Sequence, residues 1–182
     1  MNIVFILCKA IHILYNKEMK VIYLSLGSNI GNRAENLVSA LSFLQSSGFV
    51  NILKISSFYK TSAVGLCQRD FYNIAVKAET NLQPEELLCL VQNIEFLIGR
   101  KPSKRWGPRI IDIDILFFGN EIVKADNLFI PHKEIQNRLF ALCPLNEISP
   151  DFVHPVLNRK INEIVQESRL TLKCQKVKII AI

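Results

Sequence analysis

The run Ile110-Ile111-Asp112-Ile113-Asp114-Ile115-Leu116-Phe117-Phe118 closes the most legible series of elements in this 182-residue chain. Its centre alternates: Ile111, Ile113 and Ile115 point one way and Asp112 and Asp114 the other, the period of a half-buried strand. Before it lies a basic loop, 100–109. Before that, Leu87, Val91, Ile94 and Ile98 stand at helical spacing, behind Pro84 and ahead of Gly99, a start and a stop. Residues 71–80 read as a strand whose even positions (Tyr72, Ile74, Val76, Ala78) make the apolar face, leaving Phe71 and Asn73 together on the other. Residues 63–69 read as a loop and 52–61 as a strand. Residues 32–47 read as a helix carrying Leu37, Leu41 and Leu44 and stopped by Gly48, and 21–26 as a buried strand. The order β-α-β-β-α-β predicts an α+β fold, a ferredoxin-like sandwich of a largely antiparallel sheet with helices on its faces. Beyond the Gly119-Asn120 turn, a Pro-punctuated stretch leads to a short helix at 158–169 and a last strand at 170–182.

Composition bounds the function. With 49% hydrophobic and 21% charged residues the chain is globular rather than disordered. Its 22 Lys+Arg against 16 Asp+Glu give +6, a balance that suits a polyanionic ligand. Five scattered cysteines without a C-x-x-C pair argue for free thiols in a reducing cytoplasm rather than zinc or disulfides. The apolar start MNIVFILCKAIHILY is interrupted by Lys9, which suits neither a signal peptide nor a membrane span. Met19 is the expected start, with 1–18 an extension or a mis-assigned beginning and 19–182 a single domain. No Walker-type phosphate loop is present.

Two carboxylates at i and i+2 on a strand lie about 6.5–7 Å apart on one face. Like charges so placed favour a cation between them, and Mg2+ typically takes one or two carboxylates plus substrate phosphates. Alone, such a pair is more often a solvated sheet face. Here it follows Arg100-Lys101-Pro102-Ser103-Lys104-Arg105-Trp106-Gly107-Pro108-Arg109, five cations and no acid. Guanidinium groups neutralise phosphoryl charge in bidentate fashion, so the two together point to a nucleotide phosphate site.

These residues resemble the 6-hydroxymethyl-7,8-dihydropterin pyrophosphokinases of folate biosynthesis. The likeness rests on Leu26-Gly27-Ser28-Asn29, Ser56-Ser57-Phe58-Tyr59-Lys60-Thr61, Phe71-Tyr72-Asn73, Ile94-Glu95 and, above all, Arg105-Trp106-Gly107-Pro108-Arg109-Ile110-Ile111-Asp112-Ile113-Asp114. It continues through Ile130-Pro131-His132, Arg138-Leu139-Phe140 and Pro144-Leu145, covering about residues 19–155. The family's fold is ferredoxin-like. The resemblance implies transfer of the two terminal phosphates of ATP, as a unit, to the pterin hydroxymethyl oxygen, releasing AMP. It implies that Asp112 and Asp114 ligate two Mg2+ ions, and that Arg100, Arg105 and Arg109 clamp phosphates or close the site. It places ATP against Gln92, Glu95, Arg100, Trp106, Arg109, Ile115, His132 and Arg138. The pterin falls to Thr61, Val64, Phe71, Asn73 and Phe140, with the two aromatics sandwiching the ring and the Asn73 amide meeting its edge. The expected partners are these small molecules alone, with no nucleic acid and no membrane; the sequence leaves the oligomeric state open and favours a monomer.

Three departures stand out. Phe71 replaces a Tyr frequent in the family, the basic loop is a residue shorter, and Ser62-Ala63 replaces a Pro-rich turn. Taken singly, Phe140 reads as core, His132 as a turn residue, and Glu95 and Arg138 as surface charges. Two other functions fit the outline: an RNA-binding module on a ferredoxin-like sheet, and a family member that binds nucleotide without catalysis. The first lacks the aromatic run of such modules, and its phosphates would meet Asp112 and Asp114; the intact acidic pair argues against the second.

Overall fold

The computed structural model describes residues 18–62, 68–101, 107–172 and 176–181. Residues 1–17 of the expected extension and the nominated Val64, Arg105 and Trp106 lie outside them. The described chain runs β1 (Lys20–Ser28), α1 (Arg33–Ser46), β2 (Val50–Ile55), β3 (Phe58–Thr61), β4 (Phe71–Thr80), α2 (Pro84–Ile98) and β5 (Asp112–Phe118). A small ribbon of β6 (Val123–Lys124) and β7 (Phe129–Ile130) follows, then α3 (Leu139–Ile148), α4 (Ile161–Thr171) and β8 (Val177–Ile180). The main sheet is ordered β5-β1-β4-β3-β8, with β2 also on β4, and its pairings among the described residues are all antiparallel. The predicted fold class holds.

Alternation along the central strands sorts residues to two faces. Ile22, Leu24 and Leu26 of β1, Ile74, Val76 and Ala78 of β4, and Ile113 and Ile115 of β5 pack against Leu37 and Leu44 of α1 and Leu87, Val91 and Ile94 of α2. The predicted apolar face of β4 is thus the one that packs against α1 and α2. On the other face Tyr23, Ala75, Leu116 and Phe117 meet α3 and α4. A register shift between Tyr23 and Leu24 lets the successive residues Leu116 and Phe117 join the same core.

Some predicted boundaries move. The single strand expected at 52–61 is two strands, because the backbone departs from the ladder at Ser56-Ser57. Ser56 N–H donates to Ala75 O (2.9 Å) and Ser56 Oγ accepts from Ala75 N–H (2.9 Å), while Ser57 N–H and Oγ–H both donate to Glu147 Oε1 of α3 (2.9 Å each). The expected last strand shrinks to β8, since Ile161, Ile164, Val165 and Ser168 keep one buried face to α4 and extend it through Thr171. Helix α3 is an addition: its interior Pro144, which reads in the sequence as a loop signal, sits among the buried Leu139, Ala141, Leu142, Leu145 and Ile148. Interior proline costs a helix roughly 3 kcal/mol, less than the burial of several large apolar side chains at about 1.5–3 kcal/mol each.

Candidate active site

Helices α3 and α4 cover only part of their sheet face. Where they end, three adjacent strands present short or polar side chains in two rows. Register pairs Gly27 of β1 with Asn73 of β4 and Asp112 of β5, and Ser25 with Ala75 and Asp114. Thr61, Phe71, Asn73, Arg109, Asp112, Asp114, Arg138 and Phe140, which the sequence nominated, line one cavity of about 390 Å³ over these rows. Ser25, Gly27, Ser62, Gln68, Gly107 and Glu134 complete its wall and were not nominated. A signal for two of them existed: Tyr23-Ser25-Gly27 alternates with Ile22-Leu24-Leu26, so the small residues share the face of Asn73.

The acceptor side is built from β3, β4 and α3. Asn73, 2% exposed, donates from Nδ2 to Thr61 Oγ1 (2.8 Å), which fixes the amide plane toward the cavity. Gly27 leaves room for it: a Cβ there would stand 2.8 Å from Asn73 Oδ1. Phe71 and Phe140 line the cavity from β4 and from the first turn of α3.

The charged side is compensated within the protein. Arg109 and Arg100 approach Asp112 Oδ1 from Nη1 at 2.7 and 2.9 Å. Arg138 Nη1 donates to Asp114 Oδ2 (2.8 Å), with His132 Nε2 at 3.9 Å from the same oxygen. His132 Nδ1 accepts from Glu134 N–H (3.1 Å), and burial lowers the imidazole pKa against the pull of the Asp114 charge. Burial, then the neighbouring Asp114 charge, raises the pKa of Asp112, and Arg109 and Arg100 oppose the shift.

Glu95 sits beneath the cavity rather than in its wall. It is buried on the last turn of α2, accepts from Ile113 N–H (2.7 Å) and is bonded by Arg100 Nη1, so it ties helix, strand and basic loop together. Desolvation outweighs both bonds and pushes its pKa from the usual 4.5 up to about 7. Gln92 is exposed on α2, and the Ile115 side chain lies in the core on the opposite sheet face. Neither lines the cavity. A further link escaped sequence reading because Gly27-Ser28-Asn29 looks like a generic turn. Asn29 is buried, accepts from Arg109 N–H on Oδ1 (2.7 Å), and donates from Nδ2 to Gln68 Oε1 (3.1 Å) and Arg69 O (3.3 Å). The loop ends flanking both sides of the cavity thus meet on one amide.

Comparison with known proteins identifies the family. The family model for 7,8-dihydro-6-hydroxymethylpterin-pyrophosphokinase (HPPK) matches residues 23–150. The 2-amino-4-hydroxy-6-hydroxymethyldihydropteridine pyrophosphokinase of Aquifex aeolicus is 38% identical over 162 residues, 88% of this chain and all of that protein. The protein of the same name from Bacillus subtilis is 45% identical over 129 residues, 70% of this chain and 77% of its own. The crystal structure of Plasmodium falciparum HPPK-DHPS wild type superposes with a TM-score of 0.67 at 18% identity, covering 88% of this chain and 47% of that one. That likeness is one of fold, and the chain spans about half the length of that protein.

Proposed function

This chain belongs to the 7,8-dihydro-6-hydroxymethylpterin-pyrophosphokinase family, and we propose that it moves the β- and γ-phosphates of ATP together onto the hydroxymethyl oxygen of 6-hydroxymethyl-7,8-dihydropterin, releasing AMP. It is a pyrophosphokinase of folate biosynthesis. One observation carries the reading: a stacking and hydrogen-bonding wall (Phe71, Asn73, Phe140) and a paired-carboxylate wall (Asp112, Asp114) share one cavity.

The pterin ring lies between Phe71 and Phe140, with its edge on Asn73; flat rings stacked this way gain roughly 0.5–1.5 kcal/mol beyond buried area. The donor set suits Mg2+ shared with phosphates. Asp112 and Asp114 face the cavity, and no group of three or more His, Cys, Asp or Glu side chains gathers for a metal among the described residues. Asp112 and Asp114 would hold two such ions, and the metal would neutralise charge on the polyphosphate. Arg100, Arg109 and Arg138, now on the carboxylates, are placed to turn to phosphate oxygens, with His132 beside them. Phosphoryl transfer through a loose transition state asks for alignment and charge neutralisation rather than a strong base. Arg105 and Trp106 close the site in this reading and Val64 adds to the pterin side; Gln92, Glu95 and Ile115 stand outside the cavity wall, and a nucleotide role for them rests on family likeness alone.

We further read residues 19–182 as one catalytic domain, a cytoplasmic monomer acting on small molecules alone. No helix among the described residues is long and apolar enough to cross a membrane. The RNA-module alternative loses its platform, since α3 and α4 cover much of the sheet face on which bases would stack. Incubation with ATP, Mg2+ and reduced hydroxymethylpterin tests the proposal: AMP is the expected product, and ADP would overturn it.

A further inference from the structure

Ser25 has no role in the reading above, yet it occupies the floor of the cavity. It is 4% exposed, lines the pocket, and faces Asp114 on one side and Ala75 on the other. Its neighbours on the same face of β1 are Tyr23, which packs in the α3–α4 core, and Gly27, which clears the floor for Asn73. Ser25 Oγ makes no hydrogen bond to another described residue and is not shut off from the cavity. A hydroxyl at a cavity floor that is not spent on the protein is a donor and acceptor available to a bound molecule, and alanine would fill the same space without it. The hydroxyl is thus free to meet whatever fills the cavity.

The layout of the floor identifies which part of the ligand. The ring edge belongs to Asn73 in the first row, and the phosphates belong to Asp112 and Asp114 across β1. Ser25 stands in the second row between them, on the path from ring to phosphorus. We propose that Ser25 orients the acceptor: its Oγ accepts a hydrogen bond from the substrate's hydroxymethyl O–H, so that a lone pair of that oxygen is turned toward the phosphate. This inference rests on the pterin assignment above and adds a residue that contacts the nucleophile itself. No bond is made or broken at Ser25.

The test is Ser25→Ala in the full chain, assayed with the pterin and with its 6-methyl analogue, which lacks the hydroxyl. The variant is expected to lower kcat/KM for the pterin about five- to twentyfold. Affinity for the methyl analogue should equal that of wild type within twofold. Affinity for ATP with Mg2+ should be unchanged, and the melting temperature equal or higher, because no bond within the protein is lost. Unaltered kinetics would overturn the proposal. So would equal weakening of both pterins, or a lower melting temperature with loss of ATP affinity, which marks a structural role. If wild-type protein binds neither pterin, the functional reading itself fails, a result distinct from any of these.

Discussion

The two faces of β1 differ as sharply as any two regions of this molecule. Ile22, Leu24 and Leu26 are fully buried against α1 and α2. One residue along, Ser25 and Gly27 offer almost no apolar surface and leave a cavity above them. Both sets share one backbone, one ladder of hydrogen bonds and one pair of neighbouring strands. The contrast teaches that stability and activity are separable here at single-residue resolution: substitutions on one face should read out in unfolding, and on the other in turnover.

The largest effect should come from the carboxylate wall. Asp114→Asn is expected to cut turnover by about a hundredfold or more, the scale seen when a charge aimed at the reacting groups is lost, with the fold retained. Steady-state kinetics beside a thermal melt would check it, and full activity in the variant would remove the metal role. The adjacent pair Leu26 and Gly27 gives the sharpest comparison. Leu26→Ala should cost about 2–5 kcal/mol of stability and leave substrate affinities of the surviving folded protein near wild type. Gly27→Ala should do the reverse, because its Cβ would collide with Asn73 Oδ1. Pterin KM is expected to rise by tens-fold, with ATP affinity little changed; denaturant melts and calorimetric titrations on both variants would expose any blurring between the faces.

The smallest effect is one of pH. Glu95 has a folded pKa of about 7, above its usual 4.5, so between these values the native state binds more protons than the unfolded one. Its contribution is therefore fully present below pH 4.5 and lost as pH rises through about 7. The melting temperature of the metal-free wild type should fall across that window relative to Glu95→Gln, which cannot ionise. Parallel curves for the two proteins would contradict the buried-charge account.

Much of this was legible in the sequence because it follows from periodicity. Alternation in residues 71–80 and 110–118 assigned Asn73 with Phe71, and Asp112 with Asp114, to the faces they occupy. Pro84 and Gly99 bounded α2 at the residues where it starts and stops. What resisted was long-range. The break at Ser56-Ser57 depends on Glu147, some ninety residues away. Helix α3 forms around Pro144 because a sheet face waits to be covered, which no local signal reveals. Asn29 looks like a turn residue until the loop ends at Gln68 and Arg109 fold onto it. Likewise Gln92 and Ile115 came from family likeness, and the fold sets one in solvent and the other in the core.

Strand β1 also acts as a gauge. The wall for the acceptor rises from β4 and the wall for the donor from β5, each one ladder step from β1. Adjacent strands stand about 4.7–4.9 Å apart, so the span between the two walls is set by peptide groups rather than by loops or rotamers. Altering side chains can change how firmly either reactant is gripped, whereas the gap they must bridge is written into the sheet.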